Sequence, residues 1–248
     1  MNQVNAQSIN TIQSLKKTKY RKLYNKFLIE GKRLVFSAVE NDDLIETIYC
    51  TDKFYNKNLK YFLNINNVII KYISENNLKK ISSTKNPSGI AAICYIQKQK
   101  QVPYKEKRWL YIDKIREPGN LGTIFRTALW FNLKNIALSP KSVDPFNPKT
   151  IRAGMGAHFS LNIYQNIKLE KFIQTHTLIA AHKEGMDVAE FKFPKKHVIV
   201  MGNEAHGISS KNNKLIEKFI TIKKIGLGES LNVASASSII MFLATNKK

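Results

Sequence analysis

The chain has 248 residues, enough for one large domain or two modest ones, and its 43% apolar content can bury a core without disulfides or a structural metal. Forty Lys and Arg against 18 Asp and Glu leave a formal charge of +22, a field that suits a polyanion: nucleic acid first, an anionic membrane surface as the plainer alternative. No uninterrupted apolar run is long enough to cross a bilayer, and the start, Met1-Asn-Gln-Val-Asn-Ala-Gln, lacks the basic-then-apolar pattern of a signal peptide, so a cytoplasmic protein is expected.

The chain shows no internal repeat. Ser8 to Leu15 leads into a basic stretch, Lys16, Lys17, Lys19, Arg21 and Lys22. Phe27-Leu-Ile-Glu30-Gly31-Lys32-Arg33, continued by Leu-Val-Phe-Ser-Ala-Val, reads as a turn into an amphipathic helix. Leu44 to Cys50 and Val68 to Tyr72 are short, apolar and rich in Ile, Val and Tyr, as strands are, and Gly89 to Ile96 reads as a third, buried strand. Cys50 and Cys94 are far apart and form no CxxC, which reads as two reduced thiols. Gln97 to Arg108 is polar, charged and contains Pro103, the pattern of a linker. It divides an expected domain at 1–100 from one at 107–248. Beyond it, Trp109–Asp113 reads as a strand and 121–132 as a helix, with Leu121, Ile124, Phe125, Ala128 and Leu129 on one face and Asn120 placed as its N-cap. Strand-like runs recur at Ile136–Ser139, Leu178–Ala181 and His197–Met201, and Val233–Ala244 closes the chain as a helix. Strands alternating with helices predict a parallel α/β sheet.

Three segments of the C-terminal half could carry chemistry. Pro118-Gly119-Asn120-Leu121-Gly122 follows a strand and opens a helix, where backbone N–H groups and the helix dipole can receive an anion; an ordinary strand-to-helix turn would look the same. Arg126 lies a turn and a half into that helix, off the apolar stripe, and alone it reads as a solvated arginine. Gly202-Asn203-Glu204, with Gly207 beyond, follows the apolar strand ending at Met201, the place where α/β sheets bind ligands. Alone, Glu204 reads equally as a cap or a loop ion pair. Gly226-Leu-Gly228-Glu229-Ser230-Leu231-Asn232 precedes the last helix. It is not GxGxxG, and no acidic ribose ligand can follow at the spacing a dinucleotide fold needs. The five histidines show no metal-ligand spacing, so no metal is expected.

Arg116 to Arg126, Met201-Gly-Asn-Glu204-Ala-His-Gly207 and Gly228-Glu-Ser230-Leu-Asn232-Val-Ala, taken together and in this order, resemble the signature of the SpoU (TrmH-like) family of RNA ribose 2'-O-methyltransferases. Arg152-Ala-Gly-Met-Gly156-Ala157-His-Phe159, Ile222-Lys-Lys-Ile-Gly226 and Phe27 to Arg33 extend the resemblance over essentially the whole chain. It implies a SPOUT-type fold: a C-terminal parallel-sheet domain with a deep trefoil knot, and a smaller N-terminal α/β domain that binds RNA. It also implies a homodimer that uses S-adenosylmethionine. The family's catalytic positions fall on Asn120, Arg126, Glu204, Ser230 and Asn232. Its cofactor loops fall on Met201, Gly202, Ile222, Gly226, Ser230, Leu231 and Asn232. One departure is that Lys223 and Lys224 replace the usual Pro-Met of the cofactor loop.

An arginine is essentially always protonated, so Arg126 is expected to hold a phosphate and stabilise alkoxide charge rather than act as a base. Glu204, Ser230 and Asn232 would orient the ribose and the loops. Lys16, Lys17, Lys19, Arg21, Lys22 and Arg33 are the expected RNA contacts of the N-terminal domain. Large-subunit rRNA is the favoured substrate and tRNA the runner-up. From a different class, a non-catalytic RNA-binding or ribosome-assembly factor would keep the fold without turnover.

Overall fold

The computed structural model describes residues 5–40, 44–63, 65, 68–97 and 101–246, and the chain folds as two units. The first comprises the described part of Met1–Lys98 together with Phe146–Phe159. Its four strands, β1 (Lys26–Glu30), β2 (Ile45–Cys50), β3 (Ile69–Tyr72) and β4 (Ile90–Tyr95), form a mixed sheet in the order β1-β4-β2-β3. Side chains alternate across this sheet, as the two-residue strand period requires. Phe27 and Ile29 face a core built with Leu34, Val35 and Ala38 of α3 (Lys32–Val39), while Leu28 faces Ile9 and Ile12 of α1 (Ala6–Ser14) and Leu78 and Ile81 of α6 (Glu75–Ile81). Between them along the chain lie α2 (Thr18–Tyr24), α4 (Asp52–Lys57) and α5 (Leu59–Phe62).

Two expectations change here. Phe27 to Glu30 is not a turn but strand β1, paired antiparallel with β4, and the turn is confined to Gly31, whose φ of 98° suits glycine. Secondly, the expected boundary gave 146–159 to the C-terminal domain, whereas this stretch packs in the first unit. Phe146 and Phe159 lie 5.0 and 6.4 Å from the Phe27 ring, and Ile151 of α8 (Pro148–Gly154) is 2% exposed in the same core. Of the expected linker 97–108, residues 98–100 fall outside the described part of the chain. Cys50 and Cys94 are both buried; burial, aided by Asp52, pushes the Cys50 thiol up to about 12, and burial also raises Cys94, so both are poor nucleophiles.

The second unit, Gln99–Pro145 with Ser160–Lys248, holds a six-stranded parallel sheet. Its strands are β5 (Arg108–Ile112), β6 (Asn135–Leu138), β7 (Asn162–Tyr164), β8 (Thr177–Asp187), β9 (His197–Met201) and β10 (Lys218–Thr221), in the order β10-β8-β9-β5-β6-β7. The predicted strands at 109, 136, 178 and 197 are all present, whereas β7 and β10 were not legible as strands. The sheet grows outward from β5 through β6 to β7, then crosses to β8 on the other side, and β9 fills the place between β8 and β5. Strand order reverses there, and in open α/β sheets ligands bind at the carboxyl ends of such strands. Trp109, Tyr111, Phe172, Val198 and Val200 pack one face of the sheet, while α7 (Pro118–Trp130) pairs with the closing helix α10 (Val233–Asn246); the short α9 (Ser210–Asn213) lies between β9 and β10 along the chain.

Candidate active site

Strands β5 and β9 end level, with Ile112 opposite Met201. The segments that follow them therefore meet. After β5 the chain turns into α7, whose N-cap is Glu117 and not the expected Asn120. Pro118 occupies the first turn, where its missing N–H costs nothing, and the Glu117 carboxylate accepts from Gly119 N. Asn120 therefore stands inside the first turn with its side-chain amide free for other partners.

After β9 the chain closes a tight loop. Asn203 and Gly207 exchange both backbone hydrogen bonds, at 2.8 and 2.9 Å. Gly202 is needed for this closure, because a Cβ there would lie 2.4 Å from the Gly207 carbonyl carbon. The Asn203 side chain braces the loop from both ends: its Oδ1 accepts from Ala205 N and His206 N, and its Nδ2 donates to Lys114 O at 2.8 Å. The far end is fixed by Asp113, fully buried, whose Oδ2 accepts from Ser209 N at 2.8 Å.

This scaffold directs Glu204 at the start of α7. Its Oε1 accepts from Asn120 Nδ2 at 3.0 Å and Glu117 N at 3.3 Å; its Oε2 accepts from Arg116 N at 3.4 Å and Asn203 Nδ2 at 3.3 Å. Partial burial alone would raise its pKa, but the donations from Asn120 and the backbone outweigh it and hold the carboxyl below its ordinary range. Asn120 Oδ1 in turn accepts from Asn232 Nδ2 at 3.0 Å, and Asn232 Oδ1 caps α10 through Ala234 N. Asn232, Asn120 and Glu204, one from each motif, thus form a single chain of hydrogen bonds. They border a cleft of about 460 Å³ lined also by Arg116, Glu117, Asn203 and His206.

The other expected site residues stand apart from this chain. Arg126 is exposed on α7, with no ion pair among the described residues. Ser230 is exposed. Met201 and Gly202 are buried beneath the cleft, while Ile222 is half-buried and Gly226 exposed. The loop between them and Asn232 is solvated: Ile225 is 95% exposed and Leu231 52%, and Lys223 and Lys224, at the departure from the family pattern, are exposed too. Asn203, Asp113 and Glu117 carry the site's geometry, although the sequence motifs alone do not point to them as site residues. The Asn203 turn was legible in principle, since Asn before two or three free backbone N–H groups is an Asx turn.

A model described as the SpoU rRNA methylase family matches residues 107–242, more than half of the chain. The chain belongs to this family. Residues 6–92 match a model described as an MRM3-like substrate-binding domain. The chain is 27% identical over 243 residues to the 23S rRNA (guanosine(2553)-2'-O)-methyltransferase RlmP of Bacillus subtilis, covering 95% of each. It is similar to the solved structure of a TrmH-family protein from Porphyromonas gingivalis, with a TM-score of 0.86, 27% identity and 98% of each chain covered. The AdoMet-bound rRNA methyltransferase from Sinorhizobium meliloti gives a TM-score of 0.82 at 26% identity, over 98% of this chain and 97% of that one.

In this SpoU-family chain the expected RNA contacts of the N-terminal unit need one correction. Arg21 is 1% exposed, and its guanidinium donates to Leu15 O, Lys16 O and Thr18 Oγ1 at 2.7 to 2.8 Å, closing the end of α1. Placed so, it serves the fold and releases no counterion. Lys16 is half-buried and tied to Lys80 O. Lys17, Lys19, Lys22 and Arg33 are exposed. Among the described residues no group of His, Cys, Asp and Glu could hold a metal ion, and no helix is long and apolar enough to cross a membrane.

Proposed function

We propose that the protein methylates a ribose 2'-hydroxyl of large-subunit ribosomal RNA, with S-adenosylmethionine as methyl donor. The observation that carries the reading is the hydrogen-bonded chain Asn232–Asn120–Glu204, which joins all three motifs at the carboxyl ends of β5 and β9. The residues present fit the cofactor. An ionised Glu204 beside the cleft suits a cationic sulfonium. Gly226 and Gly228 leave open space where a Cβ would stand, so the backbone can be approached closely, and Ile225, Leu227 and Leu231 offer apolar surface for an adenine. Met201, Gly202, Ile222, Gly226, Ser230, Leu231 and Asn232 would hold it. When bound, S-adenosylmethionine supplies an electrophilic methyl carbon.

The chain's own residues then have to place the attacking hydroxyl and stabilise its developing charge. Arg126, permanently cationic and exposed, would hold the neighbouring phosphate and stabilise alkoxide character on the ribose oxygen. Asn120 and Asn232 fix Glu204, and Glu204 with Ser230 orients the ribose. The N-terminal unit would grip the RNA through Lys17, Lys19, Lys22 and Arg33. The reading includes the family's C-terminal trefoil knot and a homodimer. Trp130, Leu227, Leu231, Ile239 and Phe242 are large apolar side chains from 38% to fully exposed, which supports the dimer. A cytoplasmic location is part of the same proposal.

Mapping 2'-O-methylation in total RNA with and without the gene tests the proposal. One large-subunit site should disappear. Loss of a tRNA site would replace the substrate. No lost site, together with no heat of S-adenosylmethionine binding by calorimetry, would leave a non-catalytic RNA-binding factor.

A further inference from the structure

Tyr61 on α5 is 40% exposed, although its ring belongs to an aromatic stack. One face lies on Phe36, 4.8 Å between centroids at 22°, and Phe36 is itself held by Phe54 and Phe62 at 6.5 and 5.8 Å. The ring is thus fixed from beneath by a packed layer. Two ammonium groups approach it: Lys32 Nζ at 4.5 Å and Lys60 Nζ at 5.4 Å from the centroid. The surrounding helices α3, α4 and α5 carry Lys32, Arg33, Lys53, Lys57 and Lys60 against Asp52 alone. A side chain that only capped the core would need neither a partly exposed ring nor two ammonium groups held over it.

We propose that Tyr61 is a stacking platform for an unpaired nucleobase of the RNA substrate, with Lys32 and Lys60 taking the phosphates that flank it. A rigid aromatic among mobile cations is the arrangement by which proteins bind single strands: the ring takes the base and the ammonium groups the backbone. An exposed ammonium holds a ring more weakly than a stacked base does, so the base displaces Lys32, and the freed ammonium then reaches the adjoining phosphate. A duplex does not fit this site, because paired bases present no face to an approaching ring. Five cations against one carboxylate on these helices favour RNA over a protein partner. The inference rests on the reading of RNA as substrate and adds to it a contact that recognises an unpaired nucleotide, separate from the α2 lysines.

The test uses the full chain and a fluorescein-labelled single-stranded RNA, with a duplex of equal length as comparison, both read by anisotropy. Tyr61→Phe should bind the single strand like the parent. Tyr61→Leu, which still caps the core, should lose roughly 5- to 150-fold in affinity, the worth of one stacked base. Its log–log salt slope should stay unchanged, since no charge is removed. Lys32→Gln with Lys60→Gln should instead reduce the slope magnitude by about 1.4. Duplex affinity should be the same for parent and Tyr61→Leu. Ultraviolet cross-linking of the parent to the single strand should mark the peptide that contains Tyr61, a measurement that survives even if the leucine variant fails to fold. If the parent binds RNA while Tyr61→Leu binds it equally well, or while the cross-link falls elsewhere, the platform is refuted. If the parent binds no RNA at all, the proposed function falls first.

Discussion

Asn120 holds two partners with one amide, and Asn120→Ala removes both: the donation to Glu204 Oε1 and the acceptance from Asn232 Nδ2, each at 3.0 Å. The site is open to water, so the stability cost is small, about 0.5–1.5 kcal/mol per bond at most. For a chain of this size that is a few degrees in Tm, at about 2–4 °C per kcal/mol. The catalytic cost should be larger. Glu204 keeps its backbone donors but loses its shortest bond, and a misplacement of the order of 1 Å costs on the order of 10²-fold in rate, or about 2.7 kcal/mol. The assay is methyl incorporation into rRNA from labelled S-adenosylmethionine, run on Asn120→Ala, Asn232→Ala and the double variant. Because Asn232 reaches Glu204 through Asn120, the second substitution should add less than its own single effect, leaving a coupling of about 0.5–3 kcal/mol. Glu204 also reports directly. Losing the Asn120 donor removes the leading influence that holds its carboxyl low, so its pKa rises and any acid limb of the pH–rate profile moves to higher pH. Strictly additive losses with an unmoved acid limb would refute the hydrogen-bonded chain as a working unit.

Gly202→Ala should destabilise by about 1–3 kcal/mol, as overpacking does, because its Cβ would meet backbone at 2.4 to 2.7 Å; a thermal transition equal to the parent's would show that the loop closes otherwise. Lys17, Lys19 and Lys22 changed together to Gln should lower the salt slope of single-stranded RNA binding by about 2 and leave Tm unchanged. Arg21→Ala should do the reverse, keeping the slope while costing about 1–3 kcal/mol for each buried carbonyl left without a donor. Stability should also fall with acid. Burial holds His176 and His197 below the ordinary histidine range, so the unfolded chain takes up protons first; their contribution is complete above about pH 6.5 and is lost as pH falls below it. His197→Gln should flatten that slope in a Tm-versus-pH series.

Much of the fold was legible because buried parallel strands are written as short apolar runs. Trp109–Ile112 and His197–Met201 announce themselves this way, and both lie fully inside the sheet. β7 and β10 did not, because they are three- and four-residue edge strands with mixed burial, Asn-Ile-Tyr and Lys-Phe-Ile-Thr, too short to show a period. β1 reads as a turn because its five residues run straight into Gly31 and a helix, and its identity as a strand depends on pairing with β4, far along the chain. The burial of Arg21 was equally illegible. A cation among lysines looks solvated, and only the carbonyls at the end of α1 reveal that it is enclosed.

The site shows the same division between local and non-local information. Glu204 in its own window is a loop acid that could cap a helix or pair with any lysine. What turns it into a site is the register of β5 with β9. Ile112 faces Met201, and Asp113 N donates to Met201 O at 2.8 Å, so the two following segments emerge at one height and Glu204 meets the start of α7. Nothing within either window encodes that pairing; the ordered recurrence of all three motifs does, since it is the record of a fold that brings them together. The same reasoning explains what stays dispersed. Arg126 and Ser230 belong to the motifs, yet they stand exposed, as do Ile225 and Leu227 among the described residues. On the proposed function, Arg126 would meet an RNA phosphate, and the exposed Ile225–Leu231 loop an adenine or the apolar face of a second copy. Arg126→Ala should therefore leave Tm and S-adenosylmethionine binding unchanged while abolishing methyl transfer, and a drop in Tm would mean that the fold had a use for this side chain after all.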